Sequence, residues 1–366
     1  MSDLPPVDEL APRVVERCEE AVHAFAFDTF WVGVRIRPRA ERSADVVAAW
    51  KGELKRRVGG ELVRRWSGLG RAPDHQRPQM LMVYDLERDR VRRTVRSAYV
   101  YGRYRKLARG LPQTRAPWRC TSCRGGGCGQ CEGTGRQYPT SVEDLLGEPL
   151  RAAYGAASHQ LHGMGREDID VRCLGAGRPF VLELRRPRRR SVDLAAVAEA
   201  IVRHASGRVE LPAGLRAVDD ESLVARLKGW EADKRYRALC SVGEAVVEPG
   251  QLAALEASLS GADIEQRTPR RVARRRADKV RRRRVRRFRC EDLEGNHFAA
   301  VIEAQSGTYI KELISGDEGR TRPSVSELLG SPCVCASLDV LAISVRDDEL
   351  LALPSDSAAA SADAHR

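Results

Sequence analysis

The sequence contains no apolar run long enough to cross a bilayer, which needs about 20 consecutive apolar residues. Residues 1–20 carry acids and prolines and lack the apolar segment of a secretory signal peptide. We therefore expect an intracellular, cytoplasmic protein without a membrane partner. In that reducing compartment the ten cysteines are expected to bind metal or to stay reduced, and a disulfide framework is disfavoured.

The chain is rich in positive charge. Its 366 residues include 63 Lys and Arg against 51 Asp and Glu, which gives a net charge of +12. This excess favours a polyanionic partner, and nucleic acid fits better than a membrane surface. The length predicts two domains, each large enough to bury its own core.

Both predicted domains are of the α+β class, because strands and helices mix without regular βαβ alternation. Residues 1–138 form a basic N-terminal domain. Its last part, 102–138, is too rich in Gly, Arg and Cys to build a core and is expected to be a loop with a metal knuckle at 118–135. Residues 139–352 form the second domain. The tail 353–366 is rich in Ala, Ser and Asp and is expected to be disordered.

Hydrophobic periodicity and capping residues predict the individual elements. Those of the first domain are helices at Glu9–Phe25 and Val47–Trp66 and strands at Thr29–Ile36, Gln79–Asp85 and Val95–Tyr101. Those of the second include helices capped by Ser141 and Asp193, a strand at Tyr236–Val242 and a helix at Tyr309–Ile314.

Four cysteines have the spacing of a metal site. Cys120, Cys123, Cys128 and Cys131 form two CxxC turns separated by a glycine-rich loop. Four thiolates in this spacing suit the tetrahedral coordination of Zn²⁺, and the alternative is four free thiols in a flexible loop. No His or carboxylate in the segment is placed to hold a metal-bound water, so the predicted zinc is structural.

Acids alternate with arginines in the segment 165–172, GREDIDVR. Neighbouring arginines lower the pKa of a carboxylate, so this pattern is typical of an acid that must stay ionised beside an anionic substrate. Gly175 and Gly177 follow and permit tight backbone turns. A polar surface loop is the alternative interpretation.

A second basic feature is the run Arg267–Arg289, which holds fourteen Lys and Arg and a single acid, Asp278. Its charge density favours phosphate binding over an ordinary solvated face. The segment Arg103–Arg109 adds basic and aromatic side chains suited to an RNA backbone and unstacked bases. We expect the two segments to face one groove.

Several motifs together resemble the archaeal and eukaryotic-type tRNA pseudouridine synthases, which modify positions 54 and 55 of the TΨC arm. The motifs occur in the family's order and cover about residues 100–345. They are Trp118–Cys123, Gly165–Phe180, Lys234–Leu239, Gln266–Pro269, Ser306–Leu313 and Gly316–Leu329. The N-terminal region is similar to that family's THUMP-containing RNA-binding region.

The resemblance implies the pseudouridine synthase core, a mixed and largely antiparallel sheet flanked by helices. It also implies an isomerase that acts on tRNA and needs no organic cofactor. Asp170 matches the catalytic aspartate, because a glycine, Gly175, lies five residues further on. Asp168 is the rival, but the spacing favours Asp170. Arg166, in the same motif, would contact substrate.

Further site residues follow from the same resemblance. Tyr236 matches the tyrosine that stacks on the target uracil, and Tyr309 is similar to a second tyrosine that contacts substrate. Lys311 matches the basic residue that pairs with the catalytic aspartate. Leu313 matches the apolar residue packed beneath the base.

Two other functions remain open from the sequence. Charge and a zinc knuckle alone would equally suit a non-catalytic RNA-binding protein, which needs no aspartate set among arginines. A THUMP-linked methyltransferase is disfavoured, because the chain lacks a glycine-rich strand-to-helix loop of the dinucleotide-binding type. The sequence leaves open whether one or both tRNA positions are modified, whether the aspartate attacks the ribose or abstracts a proton, and the oligomeric state.

Overall fold

A computed structural model describes residues 4–37, 43–244, 246–275 and 277–352. The tail 353–366, predicted to be disordered, lies outside these residues. None of the helices in the described part of the chain is long and apolar enough to span a membrane.

The described residues form two sheets with flanking helices. The helices are α1 Val7–Val22, α2 Ala44–Arg65, α3 Val142–Tyr154, α4 Leu194–Ala205, α5 Ser222–Gly229, α6 Pro249–Leu259, α7 Ile310–Ser315, α8 Val325–Leu329 and α9 Asp347–Leu351. The strands are β1 Thr29–Arg35, β2 Ala72–Pro73, β3 Met80–Asp85, β4 Arg90–Val95, β5 Ala98–Lys106, β6 Ser158–Gly163, β7 Arg172–Arg185, β8 Val209–Glu210, β9 Arg216–Val218, β10 Lys234–Ser241, β11 Asp263–Arg267, β12 Val280–Glu294, β13 His297–Ala304, β14 Thr321–Arg322 and β15 Val334–Ile343.

The N-terminal unit is a small sheet in the order β2-β1-β3-β4, with α1 and α2 packed on it. Leu54, Val58 and Leu62 recur at four-residue spacing along α2 and are fully buried. This spacing puts them on one helical face, which packs into the core of the small sheet. The helix therefore follows from its periodicity, as the sequence predicted.

The second unit is built on an eleven-stranded sheet. The path runs β14-β11-β12-β13-β10-β15-β7-β5-β8, with β6 paired to β7 and β9 to β5. Every pairing is antiparallel except that of β15 with β7, where Asp339 lies opposite Arg172 and Val340 opposite Cys173. The predicted α+β class, with a mixed and largely antiparallel sheet, is confirmed.

The capping residues predicted from the sequence are also confirmed. The Ser141 hydroxyl accepts a hydrogen bond from the backbone N–H of Asp144 at 3.1 Å, at the start of α3. The Asp193 carboxylate accepts from the N–H groups of Ala195 and Ala196 at the start of α4. Each cap satisfies donors that the first helical turn leaves without a partner.

Strand β5 corrects the prediction for the middle of the chain. We expected Val95–Tyr101 in the N-terminal sheet and 102–138 outside any core. Instead β5 pairs with β7 along Ala98–Tyr104 in the large sheet. Residues 100–104 of β5 are buried, because β5 lies between β7 and the short strands β8 and β9. The large sheet thus begins at Ala98, ahead of the boundary predicted at residue 138.

Candidate active site and metal centre

Asp170 and Lys311 meet at one end of the large sheet. Asp170 lies in the turn that enters β7, and Lys311 lies in the first turn of α7, directly after the turn that follows β13. The Lys311 ammonium donates hydrogen bonds to Oδ1 and Oδ2 of Asp170 at 2.8 and 2.7 Å. The structure therefore joins two of the sequence motifs in a single ion pair.

Two opposing effects set the protonation of Asp170. Partial burial would raise the pKa of its carboxyl, but the hydrogen bonds and charge of Lys311, with a contribution from Arg271, outweigh burial and hold the pKa below its ordinary range. The Asp170 side chain remains 65% exposed. The carboxylate is thus ionised and also accessible to a substrate.

A pocket of about 320 Å³ lies beside this ion pair, within the size range of small-ligand sites. Arg166, Tyr236, Tyr309 and Lys311, four of the predicted site residues, line it. Leu313, predicted to lie beneath the base, is fully buried in the core of the large sheet and is not among the lining residues. The roles of all these residues remain predictions.

Other side chains form the apolar part of the pocket lining. They are Val171, Val272, Ile310, Leu338 and Val340. Ile310 is the residue immediately before Lys311, and Leu338 lies on β15 next to Asp339. An apolar lining of this kind accommodates a flat ring better than a charged group. Nothing in the sequence assigned these residues a place in the site, because their type does not distinguish them from ordinary core positions.

Tyr236 forms part of the pocket from strand β10. Its side chain is largely buried, and burial raises the pKa of its hydroxyl to about 12, with nearby Arg178 opposing the shift. The phenol therefore stays protonated near neutral pH. Tyr236 can present a ring face and a hydrogen-bond donor, but it is a poor base.

Tyr309 is held by a residue to which the sequence analysis gave no role. The Gln266 side chain accepts from the N–H of Tyr309 at 2.8 Å and donates to its carbonyl at 2.9 Å. Gln266 is fully buried on β11. Both hydrogen bonds hold the backbone at the start of α7 in place. They therefore help to position Lys311, which lies in the first turn of this helix.

A buried ion pair lies at the back of the pocket. Arg178 Nε lies 2.8 Å from Glu167 Oε2, and the two side chains are 2% and 0% exposed. The Tyr104 hydroxyl donates to the same carboxylate at 2.9 Å, and Gln113 donates to the Tyr104 oxygen. Glu167 therefore has a structural role: it anchors the segment 165–172 in the core. Asp170 is exposed and available to a substrate.

The segment Arg103–Arg109, predicted to contact RNA, contains both buried and partly exposed basic side chains. Lys106 is fully buried, and its ammonium donates to the carbonyls of Leu111, Asp168 and Ile169. Arg109 donates to the Asp170 carbonyl at 2.8 Å. Lys106 and Arg109 thus satisfy carbonyls of the loop that carries Asp170, and Lys106 does so from the interior. The side chains of Arg105 and Arg109 remain 38% and 34% exposed, so an RNA contact of this segment stays a prediction.

Asp168, the rival for the catalytic role, has different partners. Its Oδ2 lies 2.9 Å from Arg271 Nη1 and 3.6 Å from Lys311 Nζ. Arg271 also binds Glu312 through Nε at 2.6 Å. Asp168 is thus linked through Arg271 to Glu312, whereas the Lys311 ammonium forms its short hydrogen bonds with Asp170.

The four predicted metal-binding cysteines come together between β5 and α3. Their Sγ atoms all lie within 4.8 Å of one another. The separations between hydrogen-bonded pairs are 3.7 to 3.9 Å, close to the ~3.8 Å expected between sulfurs that share a tetrahedral zinc at about 2.3 Å. Cys120, Cys123, Cys128 and Cys131 could therefore hold one metal ion.

The backbone around this cluster supports the thiolates. The N–H groups of Gly127 and Gly135 donate to the sulfurs of Cys123 and Cys131, each at 3.2 Å. Gly135 has a φ of 67°, and a Cβ there would lie 2.4 Å from the Gly125 carbonyl oxygen. Only glycine fits this position, and the close approach of Gly135 to Gly125 closes the backbone around the cluster.

Comparison with known proteins identifies the family. The family model described as Pus10, C-terminal, matches residues 99–344. The tRNA pseudouridine synthase Pus10 of Methanothermobacter marburgensis is 42% identical over 92% of this chain and 83% of its own length. The proteins of the same name from Methanopyrus kandleri and Archaeoglobus fulgidus are 43% and 39% identical, each over 92% of this chain, and over 77% and 92% of their own lengths.

Among solved structures, a Cbf5-Nop10-Gar1 complex aligns at 17% identity and a TM-score of 0.34, over 57% of this chain and 45% of that chain. The family assignment rests on the sequence relatives, whose identity extends over most of both chains. The match begins at residue 99, one residue after β5 enters the large sheet. The chain belongs to the Pus10 family of tRNA pseudouridine synthases.

Proposed function

We propose that this protein isomerises uridine to pseudouridine at positions 54 and 55 of the TΨC arm of tRNA, with Asp170 as the catalytic carboxylate. The observation that carries the proposal is the ion pair of Asp170 with Lys311 beside the pocket of about 320 Å³. Family membership supports the reaction and the tRNA substrate. A protein that only bound RNA would have no use for an exposed carboxylate held ionised at a pocket.

The reaction requires little besides this carboxylate. Isomerisation breaks the bond from C1′ to N1, rotates the base and forms a bond from C1′ to C5. C5 then loses its proton and N1 gains one. Electrons and atoms balance within the nucleoside, so neither a redox partner nor an organic cofactor is needed. Asp170 would act either as a nucleophile at the ribose or as a base. Both routes need the ionised form that Lys311 stabilises.

The pocket supplies what a flipped base would need. A uridine in a tRNA stem-loop must leave its stack to reach Asp170, and aromatic faces stabilise the extruded base. Tyr236 and Tyr309 are assigned to that role, and Arg166 to contact with the nucleotide. Leu313 lies on α7 with Lys311, and its buried side chain would support the base from the core side of that helix.

We further propose that Cys120, Cys123, Cys128 and Cys131 hold a structural Zn²⁺. The thiolate spacing and the N–H donors to sulfur support this assignment. The ion would stiffen the segment between β5 and α3 and take no part in the isomerisation. The N-terminal unit is assigned to tRNA binding as a THUMP-containing domain, in a cytoplasmic protein.

The test uses an unmodified tRNA transcript and the full-length protein. Pseudouridine is mapped by carbodiimide treatment and primer extension, on the wild-type transcript and on transcripts with U54→C or U55→C. We expect stops at both positions in the first transcript and at the remaining uridine in each of the others. Tight tRNA binding without any pseudouridine would contradict the proposal and would favour a non-catalytic RNA-binding protein.

A further inference from the structure

The alternation of side chains along a β-strand divides four arginines of the run Arg267–Arg289 between two faces of the sheet. Arg281–Arg284 stand consecutively at the start of β12, and successive side chains of a strand point to opposite faces of the sheet. Two of these four arginines therefore lie on each face. These arginines form two surfaces on β12, and not the single surface expected from the sequence.

One face is neutralised by acids of the neighbouring strand. Arg282 lies opposite Glu265 of β11, with Nη2 3.0 Å from Oε1, and Arg284 lies opposite Asp263, with Nη1 3.1 Å from Oδ2. Directly opposite residues of opposite charge stabilise an antiparallel pair. The positive charge of these two arginines is thus largely compensated within the sheet.

The other face is turned toward the active site. Arg281 lies opposite Gln266 and Arg283 opposite Ile264. The Gln266 side chain reaches from this face to the backbone of Tyr309 at the start of α7. The face that carries Arg281 and Arg283 is therefore the one on which the candidate active site is built.

Arg283 also lies directly beside the pocket. A Cβ placed on Gly307, a residue of the pocket lining, would be 3.3 Å from both Nε and Nη2 of Arg283. The Nε atom of Arg283 is buried and has no hydrogen-bond partner. Arg281 Nη1 donates to the Thr268 hydroxyl at 3.0 Å, which orients its guanidinium. Within the described ranges, neither arginine forms an ion pair with a carboxylate.

We propose that Arg281 and Arg283 bind the phosphodiester backbone of the RNA strand next to the flipped uridine, and that Arg282 and Arg284 do not. The inference rests on the proposed function and adds the place where the substrate strand is held. A nucleotide that swings out about its backbone leaves its phosphates at the mouth of the pocket. Guanidinium groups without an acid partner match phosphate oxygens in geometry and charge.

The chain offers a matched pair of variants for the test. Arg281→Ser/Arg283→Ser and Arg282→Ser/Arg284→Ser each remove two positive charges from the same strand. Affinity for unmodified tRNA is measured over a range of salt concentrations. We expect the first variant to bind more weakly and to flatten the slope of log K against log salt by roughly 0.7–0.9 for each phosphate that is no longer neutralised. The second variant should stay close to wild type.

Thermal unfolding of both variants checks that the sheet is intact. If the first variant does not fold, Arg281→Lys/Arg283→Lys replaces it. That variant keeps the charge but loses the planar fork, and weaker binding than wild type, with the salt slope preserved, would support the proposal. Equal reductions of affinity and of slope in the two serine variants would overturn it.

The pseudouridine assay separates the phosphate site from the catalytic activity. Weaker binding by Arg281→Ser/Arg283→Ser alone, together with no pseudouridine formation by the wild type, would contradict the proposed function and leave a phosphate site on this face of β12. If the wild type forms pseudouridine and the two serine variants bind tRNA equally well, the phosphate site alone is contradicted.

Discussion

Lys311 donates hydrogen bonds to both carboxylate oxygens of Asp170, although 141 residues separate the two in the chain. The ion pair depends on β7 and α7 starting at the same end of the large sheet. It turns two separate sequence motifs into one charged centre beside a pocket.

Replacing Asp170 with Asn should abolish pseudouridine formation, because the amide keeps the shape of the side chain but can be neither a nucleophilic carboxylate nor a base. Affinity for tRNA should stay nearly unchanged, since phosphate contacts dominate binding. Asp168→Asn is the matched control. It should reduce the rate less, because it removes the ion pair with Arg271 and the longer contact with Lys311 but leaves the pair of Lys311 with Asp170 in place. Single-turnover rates measure both, and full activity in Asp170→Asn would refute the assignment.

Removing the ammonium of Lys311 should change the pH dependence of the reaction. In the wild type the pKa of Asp170 lies below its ordinary range, so the rate should fall only as the pH drops through that low value. In Lys311→Met the largest causes that lower the pKa of Asp170 are gone while partial burial remains, so this pKa should rise relative to the wild type. The acid limb of the rate profile should therefore move to higher pH. A lower rate with an unmoved acid limb would assign Lys311 a different role.

Two substitutions of Tyr236 separate stacking from proton transfer. Tyr236→Phe keeps the ring face, and Tyr236→Ala removes it. If the ring stacks on uracil, the Phe variant should retain far more activity than the Ala variant, since a stacked base contributes about 1–3 kcal/mol. The raised pKa of the Tyr236 hydroxyl, about 12, agrees with this expectation. Equally low activity in both variants would point to proton transfer.

The buried pair of Glu167 and Arg178 should be important for stability. Glu167→Gln leaves the Arg178 guanidinium buried without a counter-ion, at a cost of about 3–5 kcal/mol in the free energy of unfolding. Urea denaturation measures this decrease. The control is Glu199→Gln, which breaks the exposed pair of Glu199 with Arg203 and should cost less than about 1 kcal/mol. Similar decreases in the two variants would contradict an anchoring role for Glu167.

Purified protein should contain about one zinc ion per chain by elemental analysis. Cys128→Ser/Cys131→Ser should remove the metal, lower the melting temperature and weaken tRNA binding, because only two of the four tetrahedral ligands remain. Cys290→Ser, which lies outside the cluster, should retain the metal. Fresh protein that was never exposed to chelators and yet contains no zinc would contradict the assignment.

Much of the fold follows from local signals in the sequence. Ser141 and Asp193 predicted helix starts because their side chains can satisfy free N–H groups. The strand predicted at Tyr236–Val242 forms as β10, whose residues alternate in burial. The cysteine spacing predicted the cluster, since two CxxC turns leave little choice of geometry. The family motifs predicted the residues of the candidate site but not the side chains that support them, such as Gln266 and Arg178.

The rest depends on interactions that a local pattern does not encode. Arg103 and Lys106 look like surface residues, yet both are buried, because their charges are satisfied by Asp347 and by loop carbonyls distant in sequence. The arginines at the start of β12 obscure the apolar alternation expected of a strand. Their division into two faces becomes visible only with the register against β11.

The junction between the two sheets has a mechanical consequence. Only Arg96 and Ser97 separate β4 of the small sheet from β5 of the large one, and Arg190 donates to the Arg96 carbonyl at 2.6 Å. Because this connection is short and is held by a hydrogen bond, the N-terminal unit has little freedom to rotate relative to the large sheet. A tRNA bound by both units would be held at two points a fixed distance apart. The nucleotide that reaches Asp170 would then be selected by its position along the tRNA as well as by its base.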